Sequence, residues 1–291
     1  MSHGLLLLNK PSGITSNAAL SRMKRLLKTK SAGFAGTLDP MASGVLPIAL
    51  GEATKCLPYI EDVDKEYEFT VRWGVETDTL DVEGKVTAEN PARPREDEIQ
   101  NILKDFTGEI SQIPPIYSAI RINGQRAYDL ARAGEAPEMK PRAVTVHALE
   151  PIEIIDADHA AFRVTCSKGT YIRSLARDIA YRLGTLGHLT QLTRTRVGKF
   201  ALTHTISLEK LLEMEYETAT QWVMPIRTML DDILALALDP GALRRLRQGQ
   251  PIAAATLPPG THVLVLDGEA AFGIGVIKDD NLLWPRRIFN L

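Results

Sequence analysis

A chain of 291 residues with 44% hydrophobic and 24% charged residues has the balance of an ordinary soluble globular protein of one large or two unequal domains, long enough to bury a substantial core. Its two cysteines, Cys56 and Cys166, sit far apart with no CxxC or Cys/His ligand spacing, and no HExxH occurs, so a zinc or disulfide framework is excluded and a reduced compartment is indicated. The formal net charge of −2 speaks against a polyanionic partner only if the charges are mixed, and here they are segregated. Basic residues cluster at Arg22 to Lys30, Arg121 to Arg142 and Arg194 to Lys199, and acidic ones at Glu61 to Glu68, Glu76 to Glu89 and Glu209 to Glu217. Such clusters are candidates for a phosphate-binding face on an acidic protein, although each is equally a solvated helix face.

Along the chain, Gly4 to Leu8 reads as a strand; its apolar run Leu5 to Leu8 is far too short for a signal-peptide core, and no later run approaches membrane-spanning length. A cytoplasmic protein without a membrane partner is the expectation. The strand ends at the turn Lys10-Pro11-Ser12-Gly13, after which Thr15 or Ser16 caps a helix carrying Leu20, Met23 and Leu27 on one face. Next, Gly36-Thr37-Leu38-Asp39-Pro40-Met41-Ala42-Ser43-Gly44 places one carboxylate on a glycine-bounded loop between apolar runs. Pro40 restricts the backbone of Asp39 to extended or turn geometry, so the carboxylate is held; alone, Asp-Pro in a turn is usually structural.

Glu66 to Trp73 alternates, with Tyr67, Phe69, Val71 and Trp73 on one side, which predicts a half-buried strand. An amphipathic helix is predicted over Glu96 to Phe106, and strands over Val144 to Ile155 and Ala161 to Cys166. Between them, residues 113–142 are rich in proline, glycine and arginine and read as an excursion from the core. After Cys166 the chain turns at Ser167-Lys168-Gly169 into a helix that buries Ile172, Leu175, Ile179 and Leu183. Arg173 then falls in the first turn, where a cation opposes the positive end of the helix dipole and calls for a nearby anion. Beyond Pro225, Asp239 and Pro240 start a short helix ending at Gly249, followed by strand-like runs at Val263 to Leu266, Phe272 to Ile277 and Leu282 to Ile288. These predict a small β-rich module after a boundary near residue 232.

In order, LLLLNKPSGITSN, AGFAGTLDPMASGVLPIALGEATK, DKEYEF with VETDTLDVEG, and CSKGTYIRSLARDI resemble the motifs of the bacterial tRNA pseudouridine-55 synthases of the TruB family, and IPPIYSAIRINGQRAYDLAR resembles its RNA-contacting insertion. The resemblance covers Gly4 to about Lys199; the tail is similar to a PUA-like domain more loosely. It implies an α+β fold, a pseudouridine synthase core with a mixed central β-sheet flanked by helices and loops over 1–232, with the insertion at about 113–142 and the PUA-like domain at 233–291. The implied activity is cofactor-free isomerisation of uridine 55 in the tRNA T loop on a flipped-out base, by a monomer that requires tRNA and no metal or protein partner.

The same resemblance assigns the nucleophile to Asp39 and its partner cation to Arg173, which should keep the carboxylate ionised. It makes Tyr67 the residue stacked on the target base, Tyr171 and Leu192 linings of the uracil pocket, Lys10 with Pro11 a neighbour of the active loop, and Asp81 a substrate-holding position. Lys10 is otherwise a solvated turn lysine, and Asp81 a turn aspartate. One departure stands out. Many relatives read Gly-His-Thr-Gly ahead of the aspartate motif, whereas this chain has Gly33-Phe34-Ala35-Gly36. Phe34 keeps a stacking face for a flipped nucleotide but cannot make the histidine's hydrogen bond. That substitution leaves a second reading, a tRNA-binding or tRNA-folding protein with reduced isomerase activity. A guide-RNA-dependent relative is disfavoured by the compact insertion.

Overall fold

The computed structural model describes residues 3–122, 124–135, 137–253 and 257–291, with the side chain of Arg126 outside that set. In the first half, β1 (Gly4–Lys10) leads to α1 (Ser16–Leu26), β2 (Ala32–Phe34), β3 (Ser43–Leu50), α2 (Leu57–Glu61), β4 (Lys65–Trp73), β5 (Val75–Thr77) and β6 (Val86–Glu89). There follow α3 (Glu96–Ile102), β7 (Gly108–Gln112), β8 (Arg121–Ile122), β9 (Gln125–Arg126), α4 (Ala127–Arg132), β10 (Arg142–Ile154), β11 (His159–Cys166), α5 (Ile172–Arg182) and β12 (Gly187–Val197). The chain closes with β13 (Phe200–Ala201), β14 (Ile206–Ser207), α6 (Leu208–Leu212), α7 (Tyr216–Thr220), β15 (Leu234–Ala237), α8 (Pro240–Arg247), β16 (Ile252–Ala253), β17 (His262–Asp267), β18 (Ala270–Ile277) and β19 (Leu282–Ile288).

A mixed sheet dominates, in the order β14-β1-β3-β12-β4-β11-β10-β7, with β2 hydrogen-bonded to β3 and β13 to β12. The β3/β12 and β1/β14 pairs are parallel and the rest antiparallel. The four leucines of β1 alternate between two cores. Leu6 and Leu8 meet Met23 and Leu27 of α1 and Leu175 and Ile179 of α5 on one face. Leu5 and Leu7 join Ile226, Met229, Leu264, Ile274 and Phe289 on the other. A strand covered on both faces reads as an unbroken apolar run, which is why LLLL lacks alternation.

The predicted elements are present with shifted ends. Thr15 is the N-cap of α1, its side chain accepting from the Ala18 amide. The helix over Glu96 to Phe106 is α-helical only to Ile102 and tightens to a 3-10 turn over Leu103–Phe106. β4 departs from clean alternation because Thr70 is buried as well as Phe69 and Val71, with neighbouring strands and helices covering both faces. The tail forms a five-stranded sheet, β15-β17-β18-β19-β16, with a core of its own that includes Leu243, Leu246, Val263 and Leu283.

At the middle of the main sheet Phe162 stacks on Phe69, ring centroids 5.4 Å apart, and meets the edge of Trp73 at 6.2 Å. All three rings are essentially inaccessible. Phe162→Ala should therefore cost about 3–5 kcal/mol of stability. A urea titration should show a lower midpoint at unchanged slope; an unchanged midpoint would mean that this cluster does not hold the sheet together.

Candidate active site

Two backbone segments fix the Asp39 loop. From the turn between β1 and α1, the Ser16 hydroxyl donates to the Leu38 carbonyl and accepts from the Leu38 amide, both at 2.9 Å. The Gly13 amide donates to the Pro40 carbonyl at 2.8 Å, and Ser12 Oγ to the Met41 carbonyl at 2.9 Å. Lys10 is completely buried, its Nζ donating to the carbonyls of Pro11 at 2.9 Å, Ile14 at 2.7 Å and Pro40 at 3.4 Å. It is neither a solvated turn lysine nor part of the cavity wall; its contacts brace the loop. Burial pulls its ammonium down to about 8, against the attraction of Asp39.

From the opposite side β12 holds the same loop. Arg194, 1% exposed, donates from Nε to the Val45 carbonyl at 2.8 Å and from Nη2 to the Gly36 carbonyl at 2.9 Å. Its backbone lies so close to Gly44 that a Cβ there would come within 2.2 Å of the Arg194 oxygen, and Gly44 has φ of 106°, so only glycine fits. The basic cluster from Arg194 to Lys199 is thus not one continuous exposed face. Arg194 is a buried brace, Arg196 pairs with Glu66 at 3.4 Å, and Lys199 is paired with Asp231. Arg22, Arg25, Lys28 and Lys30, on and just after α1, and Arg121, Arg132 and Arg142 by contrast remain exposed.

Asp39 meets Arg173 as the helix-dipole argument requires. Arg173 Nε lies 2.9 Å from Asp39 Oδ2, with the arginine side chain 6% exposed and the aspartate side chain 34%. The rest of the guanidinium is also satisfied: Nη1 donates to the Thr79 carbonyl and Nη2 to the Tyr117 carbonyl, each at 2.9 Å. Asp81 Oδ2 stands 3.5 Å from Nη1. Asp81 is a buried second anion on Arg173, outside the cavity wall, with Oδ1 accepting from Thr79 Oγ1 at 2.6 Å and from the Glu83 amide at 3.0 Å.

Electrostatically the site departs from expectation. Burial pushes the Asp39 carboxyl above the ordinary carboxylate range; Arg173 opposes the shift and Asp81 adds to it. The guanidinium does favour the ionised form, but burial outweighs it. Burial likewise raises the phenols of Tyr67 and Tyr171, which therefore stay protonated near neutral pH.

These groups surround a cleft of about 670 Å³, the size of a small-ligand site, whose walls include Phe34, Asp39, Tyr67, Tyr171, Arg173 and Leu192. Six of the eight residues singled out from the sequence thus share one cavity. Sequence reading missed Gln112 and mistook Arg194. Gln112 is 1% exposed and clamps the backbone of Tyr171, donating to its carbonyl at 3.1 Å and accepting from its amide at 2.8 Å. Arg194 had a usable signal, since it lies two residues after Leu192 in a strand and so on the same face. Among the described residues, no group of three or more His, Cys, Asp or Glu side chains is arranged to hold a metal ion, and no helix is long and apolar enough to cross a membrane.

If Arg173 and Asp81 set the protonation of Asp39 with opposite signs, Asp81→Asn should lower the pH at which Asp39 titrates and Arg173→Met should raise it. Carboxyl carbon shifts followed by NMR across pH would show this. Midpoints indifferent to both substitutions would uncouple Asp39 from the network.

Comparison with known proteins places the chain in a family and gives relatives of its fold. A family model described as "TruB family pseudouridylate synthase (N terminal domain)" matches residues 24–172. Two more, "tRNA pseudouridylate synthase B C-terminal domain" and "Pseudouridine synthase II TruB, C-terminal", match 173–235 and 235–289. Proteins named tRNA pseudouridine synthase B from Caulobacter sp. (strain K31) and Zymomonas mobilis are 44% and 47% identical, covering 99% and 86% of this chain and 96% and 84% of their own. Among solved structures, a chain of a Cbf5-Nop10-Gar1 complex superposes with a TM-score of 0.71 at 28% identity, over 95% of this chain and 78% of that one. A chain of an H/ACA ribonucleoprotein bound to a substrate RNA gives 0.74 at 24% identity, over 99% and 86%, a likeness of fold.

Proposed function

The chain belongs to the TruB family of pseudouridylate synthases, and on that premise we propose that it makes pseudouridine in tRNA, isomerising uridine 55 of the T loop with Asp39 as nucleophile. The observation that carries this reading is the Arg173–Asp39 ion pair at 2.9 Å on the wall of a cleft large enough to admit a nucleotide. The isomerisation breaks the N1–C1′ bond, turns the uracil and joins C5 to C1′. Bonds and one proton are rearranged within the nucleotide, so the chemistry calls for no oxidant, phosphoryl donor or cofactor. It calls for a nucleophile, a path for a proton, and a pocket that retains the detached base.

Asp39 supplies the carboxylate for the step that opens the glycosidic bond. Its pinned loop and Arg173 hold the carboxylate in one orientation, the geometric condition for an effective intramolecular attack. Tyr67, protonated and half-buried on β4, offers a ring face to the base and is a poor proton acceptor near neutral pH, which favours stacking over general-base catalysis. Leu192 and Tyr171 complete the walls. Extruding a nucleotide costs a few kcal/mol, offset by phosphate contacts. The exposed arginines and lysines of α1 and of the segment 113–142 are assigned that role, with residues 233–291 as a PUA-like module behind the sheet. Phe34, at the rim where relatives carry histidine, stacks on a displaced nucleotide.

Tritium release from C5-labelled uridine in a T-arm stem-loop tests the reading. The wild-type protein should turn over, and Asp39→Ala should lose more than about a thousandfold, the scale of removing a nucleophile. Tight binding without turnover in the wild type would instead favour the RNA-binding reading that Phe34 suggests. Affinity for the stem-loop should fall steeply with added salt, as phosphate neutralisation releases counterions. Turnover that survives in Asp39→Ala would overturn the assignment of the nucleophile.

A further inference from the structure

The base of the insertion is stitched to the start of α5 by a ladder of side chain to backbone hydrogen bonds. Gln112 takes both backbone groups of Tyr171. The Ile113 carbonyl accepts from Ser174 Oγ at 2.8 Å and from Arg177 Nη2 at 3.2 Å, and the Tyr117 carbonyl accepts from Arg173 Nη2 at 2.9 Å. The next residue, Ser118, breaks the pattern. It is 5% exposed and on the cavity wall, its amide and carbonyl are bonded to Ile116 and Tyr128, yet its hydroxyl is the one buried side-chain polar atom without a hydrogen-bond partner among the described residues. Orphaned buried hydroxyls are rare because they forfeit water without compensation. Its neighbour on the same wall is the phenol of Tyr171, whose titration the Ser118 hydroxyl lowers against the larger effect of burial.

We infer that Ser118 is a positioning residue for the proposed reaction: when substrate fills the cleft, its hydroxyl donates to the Tyr171 phenol oxygen and aims the phenol proton at a carbonyl of the uracil. The backbone beside both partners is already clamped, by Arg173 on the Tyr117 side and by Gln112 on the Tyr171 side. Burial keeps the phenol protonated and hence a donor. A serine hydroxyl feeding a phenol that feeds a carbonyl is a chain in which each bond polarises the next. The detached uracil is neither covalently held nor charged-paired, so a directed donor on its edge limits its escape and its orientation while it turns.

This inference rests on the pseudouridine synthase reading, and one experiment separates the two. Single-turnover and steady-state rates are measured on the T-arm stem-loop for the wild type, Ser118→Ala, Tyr171→Phe and the double variant, with melting temperatures alongside. Ser118→Ala should lower kcat about three- to tenfold, the worth of one neutral hydrogen bond, with KM little changed. In the Tyr171→Phe background the same substitution should have no further effect, and Ser118→Thr, which keeps the hydroxyl, should recover most of the rate. Independent, multiplicative losses, or an unchanged kcat in Ser118→Ala, would overturn the Ser118 assignment while wild-type turnover upholds the reading beneath it. Absence of wild-type turnover would overturn both.

Discussion

The Arg173–Asp39 ion pair is the interaction around which the catalytic half is organised. A guanidinium in the first turn of α5, against the helix dipole and nearly out of water, is an expense that demands anions. Asp39 and Asp81 provide two, and the carbonyls of Thr79 and Tyr117 take one proton each from Nη1 and Nη2. Four segments distant in sequence therefore converge on one side chain. The same convergence shapes the cleft, whose walls include the Asp39 loop, the insertion and the start of α5.

Asp39 is held by its backbone as much as by its partner. Lys10, Ser12, Gly13 and Ser16 grip the loop from one side and Arg194 from the other, through carbonyls and amides more than through the carboxylate itself. This leaves both Asp39 oxygens outside the loop's own hydrogen-bond network. One is directed by Arg173, and the side chain keeps a third of its surface open to the cavity. Rigidity of the frame with openness of the functional atom is the arrangement expected of a preorganised site.

Much of this was legible in the sequence. Proline after Asp39, glycines bounding the loop and a misplaced cation at Arg173 are local signals with local physical causes, and ordered motifs fixed the family. The alternation of β4 put Tyr67 on the right face. What the sequence reading missed, Arg194 as a brace and the burial of Asp39, shares one cause. Arg194 looked like part of a surface cluster because the carbonyls that make its burial tolerable come from Gly36 and Val45, on another strand and its loop, and carry no side-chain signature. Burial of Asp39 was underestimated for the same reason. A cation beside a carboxylate can be guessed from motifs, whereas the desolvation of the carboxylate depends on how tightly the walls close around it.

The two faces of β1 and the two grips on the Asp39 loop also bear on the order in which the protein acquires its capability. The loop is synthesised early, by residue 44, but Arg173 follows about 130 residues later and Arg194, which pins Gly36 and inserts β12 beside β3 and β4, later still. Chains emerge amino terminus first, and contacts of such separation form slowly. The Asp39 carboxylate is therefore made long before the frame that orients it, and a nascent or truncated chain lacking β12 carries Asp39 without the contacts that pin its loop. The site is complete only once the central strand is in place.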